Sequence, residues 1–202
     1  MERILVAAED LVVGSGIDAL STRSVAIEAG VPVATLYQYF ADRDGIIAAL
    51  IARHVDAMDE RVAAAVAALE RYSVQTLVQA TVEAYVAGYK AHPSYVVLWF
   101  QGRVSHEIDA FVRERTVRLA ANFREFTIAA GLIAPDTSPL VFELAGEMID
   151  AFLNVAYRRS RHGDRRIVAE GIAMLSDYME RHATPAGRTG IPAAELHANL
   201  EV

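Results

Sequence analysis

The chain contains no cysteine, which excludes a disulfide framework and any thiolate metal site. It has no uninterrupted apolar stretch of membrane-spanning length. The first residues do not read as a secretion signal, because Met1-Glu2-Arg3 precedes an apolar run that Glu9 and Asp10 break. No alternating Val/Ile/Thr run bounded by turn residues occurs, so a sheet is not expected. Internal repeats, a glycine-rich phosphate loop and a nucleophile elbow are all missing. His106-Glu107 lacks a second histidine four residues on, so the zinc-protease pattern fails. No histidine has a glutamate three positions before it, which removes the Glu-x-x-His motif of di-metal bundles. These absences predict neither an enzyme nor a cofactor or metal, and the expected location is cytoplasmic. Positive charge is scarce at the start. Residues 1–50 hold Arg3, Arg23 and Arg43 against seven carboxylates, a balance of −4.

What the chain does have is helix-forming, apolar material. Of its 202 residues 53% are hydrophobic, alanine is abundant, and the net charge is −7. That length is enough to bury a substantial core, and the composition favours helix. The acidity argues against a protein that coats nucleic acid generally, but leaves room for a small, localised DNA footprint.

Thr22 to Phe40, TRSVAIEAGVPVATLYQYF, is the most informative stretch. Ser21 or Thr22 can cap a first helix, since a hydroxyl accepts from a free backbone N–H. Val25, Ala26 and Ala29 give that helix an apolar face. Gly30 suits the left-handed exit from it, and Pro32 suits the opening of the next helix, where its missing N–H costs nothing. The second helix, Val33 to Tyr39, carries no charge. Leu36 and Phe40 can face inward while Thr35, Tyr37, Gln38 and Tyr39 offer hydroxyl, amide and aromatic groups. This is the layout of a DNA-binding helix-turn-helix.

The stretch resembles the N-terminal domain of TetR-type (tetracycline-repressor-like) transcriptional regulators. The resemblance rests on Ile4, Leu5, Ala7, Ala8, Gly16, Thr22, Val25, Ala26, Ala29, Gly30, Val31, Thr35, Leu36, Tyr37, Tyr39 and Phe40, with Arg43 where lysine is common. It implies an all-helical fold, with a three-helix DNA-binding unit at 1–45 and a helical effector-binding and dimerisation domain at 46–182. It also implies a homodimer on a palindromic double-stranded operator, most simply a repressor released by a small apolar or amphipathic effector. By this resemblance Thr35 and Tyr39 contact phosphate, Gln38 a base edge, and Arg43 the DNA backbone, with Thr22 and Tyr37 on the same surface. The sequence departs from the family pattern in three places. Pro32 replaces the usual serine. Val33 and Ala34 make the front of the second helix apolar, which suits thymine methyls. No basic arm stands before Ile4, so either one lies upstream of Met1 or binding uses local donors and helix N-termini. The competing reading is a helical ligand carrier or enzyme with weak or lost DNA binding.

Beyond the motif, Asp42 opens a long helix towards Leu69, Ser73 opens one that His92-Pro93 ends, and an aromatic segment runs up to Gly102. Ser105 opens a helix that closes near Gly131, Ser138-Pro139 opens the next, and Asp164 opens a last helix to about Arg181. Residues 183–202 read as a mobile tail. Tyr85, Tyr89, Trp99, Phe100, Phe111, Phe123, Phe126 and Phe152 are either core or the lining of an effector cavity. The resemblance favours the cavity, with Asn122 and Asn154 read as buried amides that need partners. Glu143, Glu147 and Asp150 read as one solvated stripe of the 138–162 helix. The rest of that helix is more apolar than one core requires, which predicts a partner surface. Ala145, Ile149 and Phe152, with Val168, Ile172 and Leu175 of the next helix, are the expected dimer interface.

Overall fold

A computed structural model describes residues 1–101 and 106–200. Gly102 and Ser105 lie outside the described residues, as does the side chain of Phe111. The order is α1 (Glu2–Ser15), a 3-10 turn (Ile17–Ala19), α2 (Thr22–Glu28), α3 (Val33–Tyr37) and α4 (Arg43–Ala67). Then come β1 (Arg71–Tyr72), α5 (Val74–Ala91), α6 (Pro93–Val96) with a π turn at Val97–Gln101, and α7 (His106–Ala129). The chain closes with α8 (Pro139–Tyr157), α9 (Arg165–Glu180), α10 (Pro185–Thr189), β2 (Ile191–Pro192) and α11 (Ala193–Leu200).

The helix starts lie where short polar side chains can satisfy free N–H groups. Ser21 and Ser24 form a reciprocal capping box, and Ser73 and Thr76 form another. Asp42 accepts from Gly45 N, Ser138 from Leu140 N and Asp164 from Arg166 N. Each helix then buries one face.

The largest buried cluster runs without a break from the head into the body. It takes Ile4, Leu5, Ala8 and Val12 from α1, Val25 and Ala26 from α2, and Leu36 from α3. Ile46, Ile47, Leu50 and Ile51 of α4 join these, and Val55 and Met58 continue the same face towards Val82, Tyr89, Tyr95, Leu153 and Tyr157. A second cluster joins Val74, Ile133, Val141, Phe142 and Leu175 between α5, α8 and α9.

Residues 183–200, expected to be a mobile tail, are folded back onto the body. Ile191–Pro192 pairs antiparallel with Arg71–Tyr72, and Arg71 donates to the Gly190 carbonyl at 2.6 Å. Leu196, 1% exposed, joins Tyr72, Leu77 and Leu132 in a third cluster. The polar, Pro- and Gly-containing composition that suggested mobility instead builds a one-turn helix capped by Thr184, whose hydroxyl accepts from Gly187 N. Gly187 is required there, because the Leu132 carbonyl occupies the space of a Cβ.

Gly187→Ala is therefore expected to cost about 1–3 kcal/mol by overpacking, seen as a fall of several degrees in melting temperature. Gly14→Ala, where nothing stands within 4 Å of the added carbon, should be neutral or gain up to about 1 kcal/mol in the same melt.

Candidate nucleic-acid interface and ligand core

The head presents α3 as an exposed ridge. Val31 N donates to Ala26 O at 3.0 Å, and Gly30, at φ 61, makes the left-handed turn that frees Pro32 to open α3. Leu36 is fully buried and pins α3 to the head core. Around it Tyr37 is 54% exposed, Tyr39 52% and Val33 36%, with Ala34 and Gln38 also exposed and Thr35 half-buried. The Thr22 hydroxyl lies 3.4 Å from the Tyr37 hydroxyl, so the first turn of α2 and the last of α3 meet on one polar surface. Seven of the eight expected DNA-contacting residues, all but Arg43, thus lie on α2, α3 and the two residues that follow α3.

The arginines behave differently. Arg43 is turned back into the head, where Nε donates to Leu20 O at 2.9 Å and Nη2 to Ile17 O at 2.8 Å. Arg3, not singled out from the sequence, donates from Nη2 to Ala29 O at 2.8 Å and so closes the end of α2. The Leu20 and Ala29 carbonyls lie at the ends of a turn and a helix, where the backbone leaves acceptors free, whereas the Ile17 carbonyl also accepts from Leu20 N.

A polar junction sits where α1, α4 and α6 meet. Arg53 binds Glu2 at 2.7 Å and Glu9 at 2.6 Å, and the His54 Nε2 lies 3.1 Å from Glu9 and 3.0 Å from the Ser94 hydroxyl. His54 is only 3% exposed. A void of about 10 Å³, room for roughly one water, opens beside it between Met58, Gly88, His92 and Tyr95. The signal for this site was in the sequence. His54 stands on the apolar stripe of α4, and Glu9 interrupts that of α1.

The expected effector residues divide. Tyr85, Tyr89, Trp99, Phe100 and Phe152 join one cluster. Tyr89 is its centre, stacked on Tyr95 at 5.5 Å and edge-on to Phe100 at 5.4 Å and to Tyr157 at 5.0 Å. Trp99 stacks on Tyr95 at 5.9 Å. Phe123 packs instead with the α5–α8–α9 cluster and Phe126 with Tyr72. Asn122 and Asn154 are exposed, so neither is the buried amide expected. Helical spacing turns both out of their helices' packed faces.

The acidic stripe of α8 also splits. Glu143 and Glu147 are exposed, as expected, but Asp150 is turned towards the tyrosines. Burial raises Tyr85 to about 12 and raises Tyr89 and Tyr95 as well, with Asp150 adding to all three. Arg115, 9% exposed, approaches from α7 and pairs with Asp59 while donating to Val55 O at 3.3 Å.

Of the expected interface residues, Phe152 and Leu175 are 7% and 2% exposed, core of a single protomer. Ala145, Ile149, Val168 and Ile172 are half-buried. The large exposed apolar side chains of α8 and α9 are Leu140, Leu144, Val155 and Met174, at 56%, 45%, 42% and 49%. Phe152 and Leu175 are thus packed within the protomer, and the large exposed apolar side chains of these two helices are other residues, because both faces of α8 are apolar.

The profile of the family described as "Bacterial regulatory proteins, tetR family" matches residues 4–50. That described as "Tetracyclin repressor-like, C-terminal domain" matches residues 73–179. Among solved structures, a TetR-family transcriptional regulator from Streptomyces coelicolor is similar at 27% identity and TM-score 0.69, over 90% of this chain and 98% of that one. A putative TetR-family regulator from Syntrophomonas wolfei str. Goettingen has TM-score 0.72 at 12% identity, over 89% and 94%. The TetR of Acinetobacter baumannii AYE, in complex with minocycline, has TM-score 0.57 at 14% identity, over 88% and 93%. No curated protein matches the chain.

His54 and Asp150 oppose each other in pH dependence. Burial, with His92 and Arg53 adding repulsion, lowers His54 from 6.5 to about 4. The folded chain then binds fewer protons than the unfolded chain, and stability rises with pH across that window. Burial, with Glu147 adding and Arg115 opposing, raises Asp150 from 3.8 to about 6. The folded chain there binds more protons, and stability falls as pH rises from about 4 to 6. Each effect is worth about 3 kcal/mol, so they largely cancel. Relative to the unsubstituted protein, His54→Asn should lose stability from pH 4 to 6 in urea titrations and Asp150→Asn should gain it. Parallel profiles for all three would contradict the assignment.

Proposed function

The chain belongs to the tetR family of bacterial regulatory proteins, and from that premise we propose that it is a ligand-released repressor acting as a homodimer on a palindromic operator. The observation that carries the DNA-reading part is the uncharged ridge of α3, held by buried Leu36 and exposing Tyr37, Gln38 and Tyr39. A helix is about 10–12 Å across with its side chains, which fits the width of a major groove. Gln38 is the base-reading residue, since its amide can pair with adenine through two bonds. Thr22, Thr35, Tyr37 and Tyr39 position the head, and Val33 and Ala34 meet thymine methyls.

Dimerisation follows from surface chemistry. Leu140, Leu144 and Val155 recur at helical spacing on the outside of α8, and Met174 extends the patch onto α9. A self-complementary patch on two antiparallel helices makes a symmetric four-helix contact. Two heads fixed in this way present their recognition helices about 34–36 Å apart, one DNA turn.

The effector is a small apolar or amphipathic molecule that opens the ring cluster around Tyr85, Tyr89, Trp99, Phe100 and Phe152. Release is a population shift: a ligand that binds better to a state with wrongly spaced heads lowers DNA affinity by its differential binding free energy. Trp99, the single tryptophan, reports on the cluster by fluorescence.

A gel shift with DNA from upstream of its own gene tests the reading against that of a ligand carrier, which gives no shifted band at any concentration. On a bound site, Gln38→Ala should cost about 1–3 kcal/mol at one position of each half-site and relax preference there. Equal losses on cognate and random DNA would remove the base-reading role.

Leu144→Arg combined with Met174→Arg should give monomers in sedimentation, because each arginine would be desolvated at the contact. A stable monomer for the unsubstituted chain would reject the dimer and the palindrome together.

A further inference from the structure

Of the three arginines in residues 1–50, two hydrogen-bond to carbonyls of the head; both keep solvent exposure, and Arg43, its side chain 39% exposed, has its charge offset by Asp44 at 4.0 Å. Arg43 serves the carbonyls of Leu20 and Ile17, and Arg3 that of Ala29. The next cation along the chain, Arg53, is held by Glu2 and Glu9. Arg23 is exposed and makes no ion pair or hydrogen bond among the described residues. Against it stand the exposed carboxylates of Asp18, Glu28, Asp42 and Asp44, the last two within six residues of Gln38. The groups presented around α3 are instead neutral. They are the adjacent hydroxyls of Thr22 and Tyr37, the hydroxyls of Thr35 and Tyr39, the Gln38 amide, and the alkyl groups of Val33 and Ala34.

Resting on the DNA-binding reading above, we propose that this head, with three arginines against seven carboxylates in residues 1–50, recognises a thymine-bearing site chiefly through neutral hydrogen bonds and methyl contacts, with Arg23 as its one side-chain cation free of an internal hydrogen bond or ion pair, and that its affinity depends only weakly on salt.

The physical reason is counterion release. Each phosphate neutralised by a protein cation steepens the decline of log K with log salt by about 0.9. Neutral donors bind phosphate oxygens without that contribution. A dimer using two Arg23 side chains has a slope of roughly −2, and proteins making six to ten ionic phosphate contacts have slopes several-fold steeper. Thymine preference has a separate origin. The C5-methyl is the apolar group of the major groove, and Val33 and Ala34 offer it apolar contact where a hydrogen-bonding residue would not.

The test starts by selecting binding sites for the full chain from a random DNA pool at 50 mM salt. Affinity for the selected site is then measured by fluorescence anisotropy between 50 and 200 mM. A loss of about 10- to 60-fold, a slope no steeper than about −3, is expected, and any larger loss overturns the proposal. Arg23→Ala should flatten the slope by about 2 for the dimer, and Arg43→Ala should lower the melting temperature while leaving the slope unchanged. Equal flattening by Arg43→Ala counts against the proposal. The slope of the unsubstituted protein decides the matter if Arg43→Ala does not fold. Replacing each thymine of the site in turn by deoxyuridine removes only the methyl, and a several-fold loss at one or more positions is expected. Indifference at every position overturns the methyl contact. If no sequence is enriched at all, the DNA-binding reading itself falls, an outcome distinct from a selected site with a steep salt slope.

Discussion

Everything in this molecule depends on one face of α4 being buried twice. Ile46, Ile47, Leu50 and Ile51 belong to the head core, and Val55 and Met58, one and two turns on, belong to the body. A helix buried at both ends by different partners cannot rotate for one without disturbing the other. Interiors packed at crystal-like density transmit such strain rather than absorbing it. The head is therefore not a bead on a linker. Its orientation is set by the same continuous cluster that holds Tyr89 and Leu153 in the body.

Polar groups enter this apolar seam at two places, and both are joints between elements. Glu9 of α1, Arg53 and His54 of α4 and Ser94 of α6 close the first. Arg115 of α7, Asp59 of α4 and Asp150 of α8 approach one another at the second. Buried charges add little net stability against apolar replacements, yet breaking one partner is costly. Such sites specify one arrangement of the helices over its neighbours. The two joints also bracket the ring cluster, so a molecule that displaced the Tyr89–Tyr95 stack would push on α6, and through Ser94 and His54 on the head.

Much of this was legible in the sequence. Ser21, Asp42, Ser73, Ser138 and Asp164 start helices as expected, because capping is a local competition for free N–H groups that a side chain wins within three residues. Gly30 and Leu36 fixed the turn and the inward face of α3 for the same reason. Errors arose where a face had to be assigned without knowing its partner. Both sides of α8 are apolar, so its pattern alone did not say that Phe152 is buried within the protomer while Leu144 stays exposed. Arg43 was expected to hold the DNA backbone; its hydrogen bonds to the carbonyls of Ile17 and Leu20, more than twenty residues away in sequence, had no local signal.

The sequence by itself determined the helices up to about residue 181, their order, the helix-turn-helix and the family, since periodicity, caps and turn glycines act over a few residues. Only the tertiary structure decided that the last eighteen described residues, 183–200, dock rather than wander, that Asp150 turns inward while Glu147 does not, and that two of the three arginines in residues 1–50 donate to carbonyls of the head. Those outcomes depend on desolvation and on hydrogen bonds between groups 20 to 120 residues apart. No local pattern encodes them, because the free energy of burying a charge or a carbonyl depends on which distant group arrives to meet it.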